Sequence, residues 1–266
     1  MEAMPQAVRT NFEEKVAYVA HVLPTMRVTQ DKSFLAVDCG LPSDTYNVIV
    51  VRDLALPHQL LQAGIRPFLE QRFPAAIWYW DAGSFADVQA LTALGLVHTE
   101  TAVAMAADLS AAAFEATTPD GLTIVQATQA DEVRQYGALL AGLFADTVEQ
   151  HAVASYFQQL STYPAQQFPA LQHYIGSVGG EVVATGSLFV GSATCGIYDI
   201  VTRPDARQRG IGSAMFAHIL RRARSYAHRS AVLQASEAGM GIYRKAGFIP
   251  VGQALVFDTR PLLATV

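Results

Sequence analysis

Cysteine is nearly absent from this 266-residue chain. Only Cys39 and Cys195 occur, with no C-x-x-C spacing, which argues against both a disulfide framework and a cysteine-based zinc site. The 7 histidines never form H-E-x-x-H or a close His-x-x-x-His pair, so no metal site is expected. No G-x-S-x-G elbow is present, which disfavours a serine hydrolase. No apolar run approaches the ~18 residues of a membrane span. The opening M-E-A-M-P-Q-A-V-R-T-N-F-E-E-K lacks the charged-then-apolar shape of a signal peptide, and the expectation is a soluble cytoplasmic protein. The net charge of −5 gives no overall basic footprint for nucleic acid. What the chain does have is apolar bulk, 51% against 15% charged, the composition of a well-packed globular protein rather than a disordered one.

One stretch organises the rest. Ile197 to Ala217 reads I-Y-D-I-V-T-R-P-D-A-R-Q-R-G-I-G-S-A-M-F-A: a β-branched run stopped by Arg203-Pro204, an Arg/Gly turn, then the start of an apolar helix. The first amides of a helix have no intrahelical partner and carry the positive end of its dipole. Glycines at 210 and 212 let the main chain approach an anion without a Cβ in the way. Arg207 and Arg209 add charge at the rim, so Gln208 to Ser213 is a candidate pyrophosphate cradle. Two other phosphate motifs fail on the residues: the third glycine of G-x-G-x-x-G is Met215, and no Gly-Lys-Ser/Thr triplet occurs.

What remains, R-x-x-G-x-G at Arg207, Gly210 and Gly212, resembles the acyl-CoA-binding motif Q/R-x-x-G-x-G/A of the GNAT N-acetyltransferase superfamily. A second stretch, S-E-A-G-M-G-I-Y-R-K-A-G-F at Ser236 to Phe248, resembles that superfamily's later helix, N-x-x-A-x-x-L-Y-x-x-x-G-F. Ile242, Tyr243, Gly247 and Phe248 fit; Ser236 stands where Asn is usual and Gly239 where Ala is usual. The resemblance spans about half the chain. It implies a mixed α/β fold of the GNAT acyltransferase type.

The remaining segments fit that order. Helical patterns are expected over Phe12 to about Met26, Pro57 to Phe73, Phe85 to Leu94, Ala130 to Phe144, Thr147 to Leu160 and Gly210 to about Ala227. Strands are expected at Phe34–Asp38, Tyr46–Val51, Ala75–Trp80, Leu122–Ala127, Leu171–Ser177, Glu181–Val190 and Ala231–Gln234, with two more strands after the Tyr243 helix. On Ala75–Trp80, alternation puts Trp78 and Trp80 on one face and Tyr79 on the other, reading as a core strand more readily than as a substrate wall. Gly95 to Met105 and Gly247 to Phe257 form a weak internal repeat: each follows a helix, passes through Gly plus a large apolar residue, and ends in an apolar strand. The expected organisation is therefore tandem: residues 1–110 a degenerate GNAT-like copy that has lost cofactor binding, 111–121 a linker (T-T-P-D-G within it), and 122–266 the catalytic unit.

By resemblance, acetyl-CoA is the co-substrate, with no metal. Its pantetheine arm pairs with the backbone of Ile200, Val201 and Thr202, and its pyrophosphate sits on Gln208, Arg209, Gly210, Ile211, Gly212 and Ser213, with Arg207, Ser236 and Tyr243 completing the set. The acceptor amine attacks the thioester directly, and Tyr243 occupies the general-acid position, a phenol being protonated at neutral pH. Asp199 is the candidate base, although alternation leaves its face undecided; Glu237 and a water relay are alternatives. The acceptor is a small-molecule or peptide amine, its pocket expected on the two helices of Ala130 to Leu160 and against the N-terminal half, where Asp146 and Glu149 are acids that attract a cation or merely sit exposed. The rival reading is a non-catalytic acyl-CoA-binding or interaction module on a degenerate tandem scaffold. Oligomeric state is open between monomer and homodimer.

Overall fold

The computed structural model describes residues 4–54, 60–80, 85–111, 114–237 and 239–264. Its first half contains α1 (Met4–Tyr18), β1 (Arg27–Gln30), β2 (Phe34–Asp38), β3 (Val48–Val51), a π-helical turn (Leu60–Ile65) running into α2 (Arg66–Glu70), β4 (Ala76–Tyr79), α3 (Phe85–Ala93) and β5 (Val97–Asp108). The second half contains β6 (Leu122–Gln126), α4 (Ala130–Ala141), α5 (Val148–Leu160), β7 (Leu171–Val178), β8 (Glu181–Val190), β9 (Cys195–Thr202), α6 (Ile211–Ala223), β10 (Ser230–Ala235), α7 (Met240–Lys245), β11 (Ile249–Asp258) and α8 (Arg260–Leu263).

Local chemistry sets these ends. Glu132 accepts the amides of Thr128 and Gln129 to close a capping box on α4, and Thr147 caps α5 through the amide of Gln150. The first helix begins at Met4 rather than Phe12 and stops at Tyr18, a short 3₁₀ turn (Val19–His21) carrying the chain towards Pro24. The expected helix from Pro57 partly lies outside the described residues.

Among the described residues all strands join one sheet in the order β1-β2-β3-β4-β11-β5-β10-β9-β8-β7-β6. This order corrects the expectation of two final strands after the Tyr243 helix. One strand follows it, β11, and its neighbours β4 and β5 both come from the first half. The other edge of β5 pairs with β10, so each half donates its last strand to the other. The repeat noted in the sequence sits at the centre of this exchange. Gly95 and Gly247, at φ 87° and 86°, turn the chain into β5 and β11, which lie antiparallel beside each other.

The flanking strands correspond across this centre, with one difference. β3 and β4 are parallel and paired from Val48–Ala76 to Val51–Tyr79, every residue of both strands. β9 and β10 are also parallel, but their ladder has only two pairs, Ala231–Cys195 and Val232–Gly196. Beyond Gly196 the strands part, leaving that edge of β9 without a ladder partner. The second half thus has a split sheet, and the first does not.

Packing also joins the halves. One core cluster mixes Phe12, Leu35 and Val37 with Tyr136, Phe157 and Ile175. Tyr46 stacks on Tyr156 with ring centroids 3.7 Å apart. Asn11, buried on α1, donates to the Thr194 carbonyl and accepts from the Tyr198 hydroxyl. Burial on this scale removes a large apolar area from water, the main favourable term in folding.

Candidate active site

The cleft is built on the split between β9 and β10. Past Thr202 a 3₁₀ turn (Pro204–Ala206) leads to Gln208 and Gly210, both left-handed at φ 60° and 77°. Gly210 is the N-cap of α6 and offers no side-chain cap, so the first amides of the helix open into the cleft. Successive amides around such a left-handed turn form an anion-binding nest. Arg207 Nε donates to the Thr202 carbonyl at 3.1 Å, which pins the turn to the end of β9.

A cavity of about 570 Å³ follows this turn. Ile200, Val201, Thr202, Arg207, Gln208, Gly210, Ile211, Gly212, Ser213, Ser236 and Tyr243 line it, so eleven of the twelve expected cofactor residues converge here. Arg209 is exposed and stands outside the lining. Leu143, exposed on the turn after α4, also lines this cavity and carried no signal in the sequence beyond being apolar.

A second cavity of about 460 Å³ lies between the halves. It meets the first at four shared residues, Ile200, Val201, Ser236 and Tyr243. Its other walls come from α1, the loop before β3, Phe144 after α4, and strands β3, β4, β5, β9, β10 and β11. Phe12, Lys15, Tyr46 and Trp78 belong to the first half, and sequence reasoning had placed none of the first three at the site. Trp78 and Trp80 do share a face, while Tyr79 turns to the other side and donates to Asp87. Trp80 is core, as expected of that strand; partly exposed Trp78 is also a cavity wall.

Tyr243 sits where the cavities meet. Its ring packs on Phe216 at 4.9 Å, it is 9% exposed, and burial pushes its phenol up to about 12. It is therefore a neutral donor throughout the physiological range. The departure at Gly239 has a steric reason: a Cβ there would lie 2.8 Å from Tyr243 Cε2. The ring occupies the space that an alanine would need.

Asp199 corrects the alternation argument. Thr185 pairs with Val201 and Ser187 with Tyr198, so two residues of β9 stand opposite Gly186 alone. This bulge puts Asp199 at φ 56°, turning a strand residue out of phase with its neighbours. Its carboxylate accepts from Ser187 Oγ at 2.9 Å and Tyr136 Oη at 3.1 Å and lines the second cavity. Burial alone would push this carboxyl up, but the Lys15 ammonium and the Ser187 and Tyr136 hydroxyls bring it below the usual carboxylate range. Glu237 is exposed and lines neither cavity.

Glu149 is not an exposed helix charge. It is 5% exposed and holds the loop before β3, accepting from Ser43 Oγ at 2.6 Å and from the amides of Asp44 and Thr45. Arg260 completes this clasp through Asp44, Asp258 and Glu149. Asp146 is exposed. Among the described residues, no group of three or more His, Cys, Asp or Glu side chains is placed to hold a metal.

Residues 140–248, which carry the turn, the split strands and Tyr243, match the model of the acetyltransferase (GNAT) family. Residues 140–248 are a GNAT-family domain. Solved structures resemble the whole chain, not that domain alone. A GCN5-related N-acetyltransferase from Kribbella flavida is 15% identical over 92% of this chain and 94% of that one, with a TM-score of 0.65. A functionally unknown conserved protein from Staphylococcus epidermidis is 14% identical over 90% and 96%, with a TM-score of 0.64. A tandem GNAT protein from the clavulanic acid biosynthesis pathway is 12% identical over 97% and 96%, with a TM-score of 0.55. At these identities the likeness is one of fold, and it extends the GNAT architecture into the first half. A search of curated proteins finds no match. No described helix is long and apolar enough to cross a membrane.

Proposed function

We propose that the chain is an acetyl-CoA-dependent N-acetyltransferase acting on a primary amine, with residues 122–266 as the catalytic unit and 1–110 as a GNAT-like unit without a cofactor cleft. The observation that carries this reading is the meeting of two cavities at Ile200, Val201, Ser236 and Tyr243, one of them floored by the uncapped start of α6. The donor set fits acetyl-CoA: backbone amides and Arg207 for a pyrophosphate, and the unpaired edge of β9 for the amides of a pantetheine arm.

Acetyl-CoA, when bound, supplies a thioester activated towards an amine. The residues of the chain then have three tasks. The unpaired edge of β9 and the α6 turn orient one reactant, and the second cavity orients the other, so that the two meet at Tyr243. Tyr243 holds a proton at Oη that can pass to a departing thiolate. Asp199, held ionised, suits the ammonium form of the acceptor and orients it, and the proton that the amine loses passes along that carboxylate to water rather than staying on it.

Titration of acetyl-CoA into the full-length chain, with thiol release followed on adding amines, tests the reading. Micromolar binding and CoA release are expected, and Tyr243→Phe should lower kcat about 100-fold while leaving acetyl-CoA affinity in place. Binding without release for any amine would favour the non-catalytic acyl-CoA-binding scaffold; no binding would overturn both readings.

A further inference from the structure

The acceptor cavity is walled about equally by both halves, including the one that has no cofactor cleft. On the wall from that half three aromatic rings form a continuous cluster. Phe12 lies 4.6 Å from Trp78 and 4.8 Å from Trp80 between centroids, and the two indoles stack at 5.4 Å. Trp80 closes this cluster inside the core, and Trp78, partly exposed, ends it at the cavity. Tyr198 continues the aromatic surface across the floor, 6.5 Å from Phe12.

The charges lining the cavity are few: one ammonium, Lys15, and three carboxylates, Asp44, Glu100 and Asp199. Asp199 faces it next in sequence to Ile200, one of the residues shared with the cofactor cavity, and so marks the amine end. Lys15 lies with its ammonium 5.1 Å over the Tyr198 ring and acts on that same carboxylate. Glu100 stands at the exposed side, and Asp44 is already engaged by Arg260. A polycation would meet Lys15 with a like charge; of the three carboxylates Asp44 is taken by Arg260 and Glu100 is exposed, which leaves the half-buried Asp199 to offset it. A monoamine with a flat, polarisable body finds one carboxylate and a ring surface.

Resting on the acetyltransferase reading above, we infer that the acceptor is an aromatic primary amine and that Phe12 and Trp78 of the first half are its specificity-determining residues. A ring seated against Trp78 gains the geometry-dependent part of an aromatic pair beyond simple area burial, worth roughly 2- to 12-fold in affinity.

The test compares phenethylamine and tryptamine with 2-cyclohexylethylamine, an aliphatic amine of similar bulk, and with putrescine. Each is titrated into the full-length chain and also assayed for CoA release. The aromatic amines should bind, and should exceed the cyclohexyl amine in kcat/KM by about fivefold or more. Trp78→Leu should lower kcat/KM for aromatic amines several-fold more than for the cyclohexyl amine, with acetyl-CoA affinity unchanged. Phe12→Leu gives the same comparison should the first variant fold poorly. Equal kcat/KM for ring and cyclohexyl amines, preference for putrescine, or an equal loss for both classes in Trp78→Leu would overturn the inference. Failure of acetyl-CoA to bind would sink the acetyltransferase reading instead, and the amine titrations would then decide the pocket by themselves: selective aromatic binding lost in Trp78→Leu upholds it, and none overturns it.

Discussion

The two glycines of the α6 turn do different work, and substituting each by alanine separates conformation from access. Gly210 is left-handed at φ 77°, and a Cβ there would meet only Pro119 Cγ at 3.7 Å. Space is free, but the backbone conformation is costly for an L residue by roughly 1–2 kcal/mol, offset by ~0.4–1 kcal/mol from a less mobile unfolded chain. Gly210→Ala should therefore lose about 1 kcal/mol of stability, a fall in Tm of roughly 2–4 °C for a chain of this size. Gly212 has no positive φ; its added Cβ would sit 3.1 Å from Thr202 Oγ1, on the cavity lining. Alanine is the better helix former by up to ~1 kcal/mol, so Gly212→Ala should leave Tm within about 2 °C. The added methyl instead stands where an anion must approach the first amides of α6. Loss of one charge-assisted hydrogen bond costs roughly 1.5–3 kcal/mol, so acetyl-CoA affinity should fall about 10- to 100-fold. Thermal melts and calorimetric titration of both variants read the two effects separately. The opposite pattern, with Gly212→Ala binding normally and Gly210→Ala binding nothing at an unchanged Tm, would refute this division of roles.

Three other predictions address the site and the exchange. Asp199→Asn keeps a group able to bond Ser187 and Tyr136 but removes the charge; kcat/KM for the amine should drop about 100-fold with acetyl-CoA affinity unchanged, and full activity in this variant would remove Asp199 from the mechanism. His173 is 9% exposed, and burial, chiefly, pulls its imidazole down to about 4. Below its unfolded value of ~6.5 the unfolded chain binds a proton that the folded chain refuses, so stability is complete above that pH and is lost as pH falls towards 4. Urea midpoints should show up to roughly 2 kcal/mol lost between pH 7 and pH 5, a loss that His173→Gln should flatten; a parallel pH curve in the variant would refute the assignment. Finally, a chain divided between Asp120 and Gly121 should give two pieces that stay unfolded when expressed singly and assemble when co-expressed, because β5 and β11 each complete the other piece's sheet. A stable isolated piece, seen by a cooperative melt, would contradict that dependence.

What could be read from the sequence was local chemistry. The Gln208 to Ser213 turn and the Tyr243 helix stand out because a glycine turn opening a helix into a cavity and the close packing of Gly239 under a ring each demand particular residues at fixed spacing. Most strands were legible as β-branched runs between turn residues, though β1 (Arg27–Gln30) was not, and the matching glycines at 95 and 247 pointed to two related strands. Relations between distant segments were not legible. A period-2 pattern cannot register the extra residue at the β9 bulge, since Asp199 is a non-glycine residue with positive φ and nothing beside it marks the insertion. Glu149 reads as an ordinary acid in the first turn of a helix; its burial comes from hydrogen bonds to Ser43, Asp44 and Thr45, over 100 residues away. The exchange of last strands is written in inter-strand register, which no single segment encodes.

That exchange bears on how the protein is made. β4 and β5 leave the ribosome early, yet the strand that must slide between them ends at Asp258, 150 residues after Asp108 closes β5. At typical synthesis rates the nascent chain waits about 8–30 s with two facing edges open. Each is a hydrogen-bonding template for any passing strand, including its counterpart on a neighbouring nascent chain. The yield of this protein in a cell should thus depend on translation speed and on holdase chaperones more than the stability of the finished sheet would suggest. Slowing the ribosome between β5 and β11 should increase aggregation without altering a single residue.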